Sequence, residues 1–197
     1  MSKDNKSSIN FQDLMLHRIH EILLVASPYD AFILEEDGRL TQQILYEYLG
    51  MNLSYAPRVW HAKNAKTGLQ MLVDRSYDLV IVMMRIADMD PITFGEKVKQ
   101  DFPDKPVILL AFDESEISTL PQKRLLKTID RVYIWSGNAN VFPAIIKNIE
   151  DSMNLDRDHK IADIRSIVMV EDNPRYYSII LPLIYRTALR HAQSLIN

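Results

Sequence analysis

The chain contains 197 residues, which is enough for one domain and a shorter additional unit. Its 47% hydrophobic and 25% charged residues exclude a largely disordered, collagen-like or coiled-coil chain. The absence of cysteine excludes disulfide bonds, thiolate metal sites and cysteine nucleophiles, and a net charge of −3 gives no strong attraction to nucleic acid or to an anionic membrane.

Residues 1–20 predict a helical extension that precedes the main domain. The polar start, residues 1–8, is followed by no apolar core typical of a signal peptide, and no run of about 18 apolar residues occurs anywhere. We therefore expect a cytoplasmic protein without membrane contact. Apolar residues have helical spacing over Phe11–His20, whereas His17 and His20, three residues apart, lack a nearby third ligand and predict no metal site.

Residues 21–153 predict one α/β domain. Five short apolar runs alternate with helical stretches, and this order is typical of a parallel sheet with helices on both faces. The predicted strands are Glu21–Ala26, Arg58–Ala62, Leu79–Met84, Val107–Phe112 and Val132–Trp135. The predicted helices between and after them are Thr41–Leu49, Ala65–Asp74, Thr93–Asp101, Ser115–Lys127 and Asn140–Met153.

Two further segments follow this domain. Residues 154–163 begin with a polar stretch and predict a linker. Residues 164–197 contain the apolar run Ser166–Val170, which predicts a strand, and then a long apolar helix that Pro182 is expected to kink or restart. Because these apolar side chains need cover, we expect 164–197 to pack against the first domain or against another chain, most simply in a homodimer.

The sequence from Tyr77 to Ala111 reads YDLVIVMMRIADMDPITFGEKVKQDFPDKPVILLA. It resembles the receiver domain of two-component response regulators, in which a "YDLVLLD" strand is followed by an "xRMPGMDG" loop, a helix and a "PDLPVILLTA" strand. The resemblance extends over roughly residues 21–152. It implies a flavodoxin-like receiver fold, an α/β fold with five parallel strands in the order 2-1-3-4-5 and helices on both faces.

The chemistry of that family is missing from the matching positions. In receivers, an acidic pair after the first strand and an aspartate ending the third strand hold Mg²⁺, and that aspartate accepts a phosphoryl group. A hydroxyl after the fourth strand and a lysine after the fifth contact the phosphoryl oxygens. The residues here are Ala26, Ser27, Met83, Ala111 and Ser136. The resemblance therefore implies no catalytic residue, metal, cofactor or enzymatic activity in this domain.

Three sets of residues leave alternatives open. A slipped register would make Asp78 or Asp88 the phosphoacceptor, although Asp78 begins its strand and Asp88 lies in the following loop. Tyr133 and Trp135 on the fifth strand predict a partner-binding surface or, for Trp135, a packed core aromatic. Four acidic residues near the strand ends predict a solvated rim or a cation contact: Asp88, Asp90, Asp113 and Glu114.

A second resemblance begins after the linker. Ser166–Pro174 reads SIVMVEDNP and looks like the first strand and acidic pair of a second receiver, of which 164–197 would be the truncated start. Glu171 and Asp172 would contribute to a metal site only in a complete second receiver. Residues 27–40 and 171–185 are also similar to the amino-terminal region of phosphoenolpyruvate-synthase-like, pyruvate-phosphate-dikinase-like proteins.

These features predict a non-catalytic pseudo-receiver of bacterial two-component, phosphorelay signal transduction that acts by protein–protein interaction without phosphorylation. Its expected partners are another protein, further domains of the parent chain or, through 164–197, a second copy. The alternative is the regulatory amino-terminal part of a larger phosphoenolpyruvate-synthase-like phosphotransferase. A flavodoxin-like small-molecule binder is disfavoured because Ser27–Asp30 contains no glycine, and a DNA-binding output is disfavoured because no basic helix-turn-helix follows residue 153.

Overall fold

The computed structural model describes residues 16–37, 39–50, 55–162 and 166–196. These residues form the strands β1 (Glu21–Val25), β2 (Arg58–Ala62), β3 (Leu79–Met83), β4 (Val107–Ala111) and β5 (Arg131–Ile134). They also form the helices α1 (Pro28–Phe32), α2 (Leu40–Gly50), α3 (Ala65–Asp74), α4 (Pro91–Asp101), α5 (Glu114–Ser118), α6 (Gln122–Thr128), α7 (Val141–Ala162) and α8 (Pro174–Ile196). A π-helical turn, Ile33–Asp37, follows α1.

The strands form one parallel sheet in the order β2-β1-β3-β4-β5, with helices around it, which confirms the predicted fold class. Successive side chains of a strand point to opposite faces. Ile22 and Leu24 of β1 accordingly join a core formed with α2 and α7, whereas Leu23 and Val25 join a core formed with α3 and α4. All residues of β3 and β4 are buried, which explains their unbroken apolar sequences.

The helix predicted over Ser115–Lys127 is divided into α5 and α6. The division falls before Pro121, which has no amide hydrogen and restricts the backbone of the residue preceding it. Pro121 instead occupies the cap position before α6. The hydrophobic pattern alone did not locate this break because Ile117 and Leu125 are buried in the same core on either side of it.

Residues 154–162, predicted as part of a linker, continue α7 instead. The polar side chain of Asn154 is buried and bonds the backbone of His17, accepting from its amide at 2.8 Å and donating to its carbonyl at 2.7 Å. Asp158, one turn later, is also buried. Asn154 therefore contacts a distant part of the chain, whereas Asp156, His159 and Lys160 of the same polar run are exposed.

The amino-terminal extension differs from its prediction where it is described. Residues 16–20 are not helical, and Phe11–Met15 lie outside the described residues. The backbone amides of His20 and Glu21 both donate to one carboxylate oxygen of Asp78, at 2.8 and 2.9 Å, which fixes the entry to β1. Among the described residues, no three acidic or histidine side chains are grouped so that they could hold a metal ion.

Helix α8 packs against β5 and α7 of the same chain. It continues through Pro182, so the predicted restart is wrong, and the predicted kink stays a prediction. Leu181 before the proline is buried, and the hydroxyl of Tyr185 after it donates to Asp151 of α7 at 2.6 Å, so both flanking turns are held. In the described part of the chain, neither α8 nor any other helix combines the length and the apolar character needed to cross a membrane.

Candidate functional site

The carboxyl ends of the parallel strands form the candidate site, because open α/β sheets bind ligands at this edge. Met83 is the last residue of β3 and lies opposite Leu110 of β4. Its side chain is 1% exposed, and Ala26 after β1 and Ala111 at the end of β4 are fully buried. Met83 is thus buried, and the side chains at these three positions are a thioether and two methyl groups.

The two hydroxyl-bearing positions do not complete a phosphoryl site. The side-chain oxygen of Ser27 accepts a hydrogen bond of 3.1 Å from the amide of Asp30 and caps α1. Ser136 follows β5 by two residues and is exposed at the rim. Ala26, Ser27, Met83 and Ala111 are therefore gathered at the strand ends, whereas Ser136 stands outside the buried centre.

Asp78 and Asp88, the alternative phosphoacceptors, both bind backbone amides. Asp78 lies at the amino end of β3, opposite the candidate edge, and holds the amides of His20 and Glu21. Asp88 accepts from the amides of Ala65 and Lys66 in the first turn of α3, at 2.8 and 2.9 Å. The hydrogen bond from Lys66 is the largest cause of the lowered pKa of Asp88.

The rest of the acidic rim caps helices. Asp90 accepts from the Thr93 amide at 3.0 Å and is the N-cap of α4. Asp113 accepts from the Ser115 amide at 2.7 Å and is the N-cap of α5. Burial acts to raise the pKa of Asp90, but the hydrogen bonds from Thr93 outweigh it and the pKa is lowered. Glu114 differs, because its Oε1 atom is buried without a hydrogen-bond partner. The rim oxygens of Asp88, Asp90 and Asp113 are thus engaged by amides.

Asp30 is a candidate site residue that the sequence did not single out. It lies in α1, is 1% exposed, and neither carboxylate oxygen has a hydrogen-bond partner. Burial is the largest cause of the raised pKa of Asp30; the nearby Ser27 hydroxyl and the charge of Arg85 oppose it, and the charge of Glu116 adds to it. The sequence shows that Asp30 lies three residues after Ser27, which caps α1, but this position does not predict that the Asp30 side chain is buried.

Arg85 forms an ion pair with one carboxylate of this edge. Arg85, in the loop after β3, contacts Glu116 with an N–O distance of 3.2 Å and lies over the Phe112 ring, 5.3 Å from its centroid. Glu116 also accepts from the Phe112 amide at 2.9 Å. The charge of Arg85 also acts on Asp30, where it opposes the effect of burial on the pKa.

Tyr133 and Trp135 do not form an exposed surface. Tyr133 is fully buried, its hydroxyl donates to Asn148 at 3.1 Å, and its ring lies 5.8 Å from that of Tyr177 in α8. Trp135 is also buried, with its ring 5.5 Å from that of Phe142. The predicted interaction surface is corrected accordingly: Tyr133 lies beneath α8, and Trp135 is the packed core aromatic of the alternative prediction.

The helix start after the first domain repeats the cap of α1. Residues 166–170, which precede it, form no strand and are not part of the sheet. Asn173 then accepts from the amides of Arg175 and Tyr176, at 2.8 and 3.2 Å, and Pro174 begins α8, as Ser27 and Pro28 do for α1. The prediction of a sixth strand over Ser166–Val170 is therefore wrong, because these residues form no strand.

Comparison with solved structures shows receiver domains as structural neighbours. The signal receiver domain of an HD domain-containing protein from Pseudomonas fluorescens Pf-5 matches with a TM-score of 0.53 and 24% identity, covering 73% of this chain and 95% of that one. Response regulator TrrA from Thermotoga maritima matches with a TM-score of 0.52 and 18% identity, covering 66% and 99%. A CheY-like receiver domain protein from Methanospirillum hungatei JF-1 gives 0.52 and 18%, covering 70% and 98%.

These identities are low, so the likeness shows the receiver fold alone. No family model matches the sequence, and no curated protein is significantly similar to it.

Proposed function

We propose that this chain is a non-catalytic pseudo-receiver of two-component, phosphorelay signal transduction, which acts by protein–protein interaction without aspartyl phosphorylation. The observation that carries the proposal is the buried Met83 at the end of β3, flanked by Ala26 and Ala111. The fold provides the receiver scaffold, and the residues at its functional edge provide no phosphoacceptor chemistry.

Two separate requirements of aspartyl phosphorylation are missing, the carboxylate nucleophile and the Mg²⁺ ligands. Aspartyl phosphorylation needs a carboxylate nucleophile, and the thioether of Met83 cannot form an acyl phosphate. Mg²⁺ prefers about six oxygen ligands, whereas Ala26 offers no side-chain oxygen and the Ser27 oxygen already accepts the Asp30 amide. A substitution that restores only the nucleophile would therefore still lack the Mg²⁺ ligands, and the reverse also holds.

Asp30 is the carboxylate that most directly competes with this proposal, because it is buried in α1 without a hydrogen-bond partner. Burial raises the pKa of Asp30, which disfavours the ionised form that attacks phosphorus. Its enclosure also leaves no access for a phosphodonor. These two properties support a structural role for Asp30 rather than a role as acceptor.

Intact mass measured after incubation with Mg²⁺ and acetyl phosphate tests the proposal. We expect the mass of the wild-type protein to stay unchanged while an ordinary receiver, treated in parallel, gains about 80 Da, the approximate mass of one phosphoryl group. Wild-type protein that gains this mass would overturn the proposal. The same experiment on Asp30→Asn then assigns the adduct, since its loss in this variant would identify Asp30 as the acceptor.

A second candidate, the regulatory amino-terminal part of a larger phosphoenolpyruvate-synthase-like phosphotransferase, is favoured by the repeat at 166–196. A capped helix start and the VEDNP sequence before it support a second receiver-like unit after the first. Sequencing the parent reading frame beyond codon 197 tests this candidate. A catalytic portion encoded downstream supports it, and a stop codon directly after Asn197 removes it.

A further inference from the structure

Three polar side chains of α7 form a buried row, here called the polar row, which consists of Glu150, Asn154 and Asp158. Each of them is at most 3% exposed. Because they are four residues apart, they lie on one side of the helix, about 6 Å from one to the next. Asp156 and Lys160 in the same part of α7 are exposed. Polar and charged side chains are rarely buried unless other groups bind them, so the polar row marks a side of α7 that another segment covers.

The backbone before β1 covers the first two positions of the polar row. Glu150 accepts a hydrogen bond from the Ile19 amide at 2.9 Å. Asn154 accepts from the His17 amide at 2.8 Å and donates to the His17 carbonyl at 2.7 Å. Traced back from β1, the chain therefore passes from Glu150 to Asn154, and His17 is fixed one helical turn before Asp158.

The third position, Asp158, lies within reach of the residues that precede His17. Two residues of chain span at most about 7 Å. One helical turn spans about 6 Å, so Met15 can lie beside Asp158 when His17 is held at Asn154.

The carboxylates at the two ends of the polar row pair with cations of their own helix. Glu150 binds Lys147 at 2.6 Å in addition to the Ile19 amide. Asp158 binds Arg157 at 3.2 Å. Since a carboxylate has about four acceptor sites, Asp158 can bind a group of a covering segment beside its arginine, as Glu150 does beside its lysine.

Two apolar side chains accompany the polar row on α7. Met153 and Ile161 are 40% and 39% exposed, and each lies three residues after a member of the row, on a neighbouring part of the helix surface. Helix α8 contacts a different side of α7 from Met153, because Asp151, which accepts from the Tyr185 hydroxyl, is rotated by about 160° around the helix. A segment that covers the row therefore needs apolar residues as well as polar groups.

We infer that residues 9–15 of this chain pack over the polar row at Asp158 and over Ile161. This segment directly precedes the first described residues, and residues 1–8 before it are polar apart from Met1. The other segments outside the described ranges have at most four residues each. Residues 9–15 read INFQDLM and supply the required apolar side chains: Ile9, Phe11, Leu14 and Met15. One continuous stretch of chain then ties the last turns of α7 to β1.

Hydrogen exchange of the full chain, followed by mass spectrometry, tests this cover without a substitution. We expect the amides of residues 11–15 to exchange at least about tenfold more slowly than those of a synthetic peptide of residues 1–15, at every protein concentration. Exchange at the rate of the free peptide would overturn the inference. Slow exchange only at high protein concentration would also overturn it, because a second copy would then supply the cover.

Thiol labelling tests the contact with Ile161, since the natural chain contains no cysteine. The thiol of Ile161→Cys should react with a maleimide at least about threefold faster when Phe11→Asp/Leu14→Asp is added, because thiol reactivity follows exposure. Ser7→Asp/Ser8→Asp is the matched control, since it adds the same two charges directly before the segment. Equal labelling rates in the two backgrounds would contradict a contact between 9–15 and Ile161.

Substitution of Asp158 tests the third position of the polar row. Asp158→Ala should raise the exchange rate of residues 11–15 at least about tenfold, whereas Asp158→Asn retains an acceptor oxygen and should keep most of the protection. Asp156→Ala is the matched control, because it removes an exposed carboxylate from the same helix. Alanine favours the helix in both variants, so loss of α7 does not account for a difference. Wild-type exchange rates in Asp158→Ala would show that residues 9–15 do not bind the row there.

Discussion

The hydroxyl oxygen of Ser178 in α8 accepts a hydrogen bond of 2.8 Å from the backbone amide of Ile134 in β5. The same hydroxyl donates to the carbonyl of Pro174 in its own helix at 2.6 Å. One serine thus fixes α8 against the outer strand and satisfies a buried amide that would otherwise lie at an open sheet edge. Since α8 also packs against β5, a further strand could pair with β5 only by displacing this helix.

Ser178→Ala should lower the free energy of unfolding by about 1–3 kcal/mol, because it leaves the buried Ile134 amide without an acceptor. Urea unfolding measures the change, and hydrogen exchange of the Ile134 amide should become faster. Thr187→Ala is the matched control in α8, since the exposed Thr187 hydroxyl donates only to the Leu183 carbonyl of its own helix. Equal effects of the two substitutions would show that the Ser178 contact contributes nothing.

Asp30→Asn should stabilise the protein at neutral pH, by on the order of 1 kcal/mol, because ionised Asp30 is buried without a partner. Burial raises the pKa of Asp30 in the folded state. Its contribution to stability is therefore fully present below the ordinary carboxyl pKa and is lost as the pH rises through the raised folded value. The advantage of Asp30→Asn should accordingly disappear in acid, as measured by urea unfolding over a pH series.

Asp88→Asn provides a control of opposite sign. Hydrogen bonds from Lys66 and Ala65 lower the pKa of Asp88, so its ionised form stabilises the fold at neutral pH and this contribution is lost as the pH falls through the lowered value. Asp88→Asn should be less stable than wild type at neutral pH and equal to it in strong acid. If Asp30→Asn instead destabilised the protein at neutral pH, ionised Asp30 would have a favourable partner.

The parallel sheet could be predicted because the apolar sequence of each central strand indicates that the strand is buried on both faces. Leu79–Met83 and Val107–Ala111 are apolar without alternation, and such runs require cover on both faces, which only a sheet between two layers of helices provides. The position of Met83 at the end of β3 followed from the same run. The strands could thus be identified from their local apolar pattern. Their order followed from the few connections that are possible between parallel strands.

Other features depend on partners distant in sequence. Asn154 is buried because it bonds the backbone of His17, 137 residues away, and no local pattern contains that information. Tyr133 is covered by Tyr177, 44 residues later, so its exposure could not be judged from β5 alone. Asp30 is similar, since a carboxylate near a helix start is usually solvated, and only the packing of the strand ends encloses it.

Gly95→Ala should destabilise the protein by about 1–3 kcal/mol through overpacking. A Cβ atom at Gly95 in α4 would lie 2.6 Å from the Thr128 Cγ2 atom of α6, and this distance is too short for two carbon atoms. Thr128→Ser removes that methyl group, so the double variant should be less destabilised than the sum of the two single variants. Denaturant unfolding of all four proteins gives the coupling.

Gly50→Ala is the control for this close approach. Among the described residues, no atom lies within 4 Å of a Cβ atom at Gly50, the last residue of α2. It should be neutral or slightly stabilising, since alanine has the higher helix propensity. Additive effects of Gly95→Ala and Thr128→Ser would show that α4 and α6 are not in the close contact described.

Met83→Asp should destabilise the protein without restoring phosphorylation. The carboxylate would replace a side chain that is 1% exposed and lies opposite Leu110, so the free energy of unfolding should fall by at least about 2 kcal/mol. Met83→Leu preserves volume and apolar character, and it should cost less than about 1.5 kcal/mol. Similar losses for the two variants would mean that the end of β3 is open to solvent.

The same variant separates the missing nucleophile from the missing metal ligands. With Mg²⁺ and acetyl phosphate, Met83→Asp alone should keep its mass, because Ala26 supplies no oxygen and the Ser27 oxygen already accepts the Asp30 amide. Adding Ala26→Asp and Ser27→Asp supplies the carboxylates that Mg²⁺ needs, and the triple variant should gain about 80 Da. A gain of this mass by Met83→Asp alone would show that another carboxylate of this edge, with Asp30 the nearest candidate, already holds the metal; Asp30→Asn in that background would then abolish the adduct.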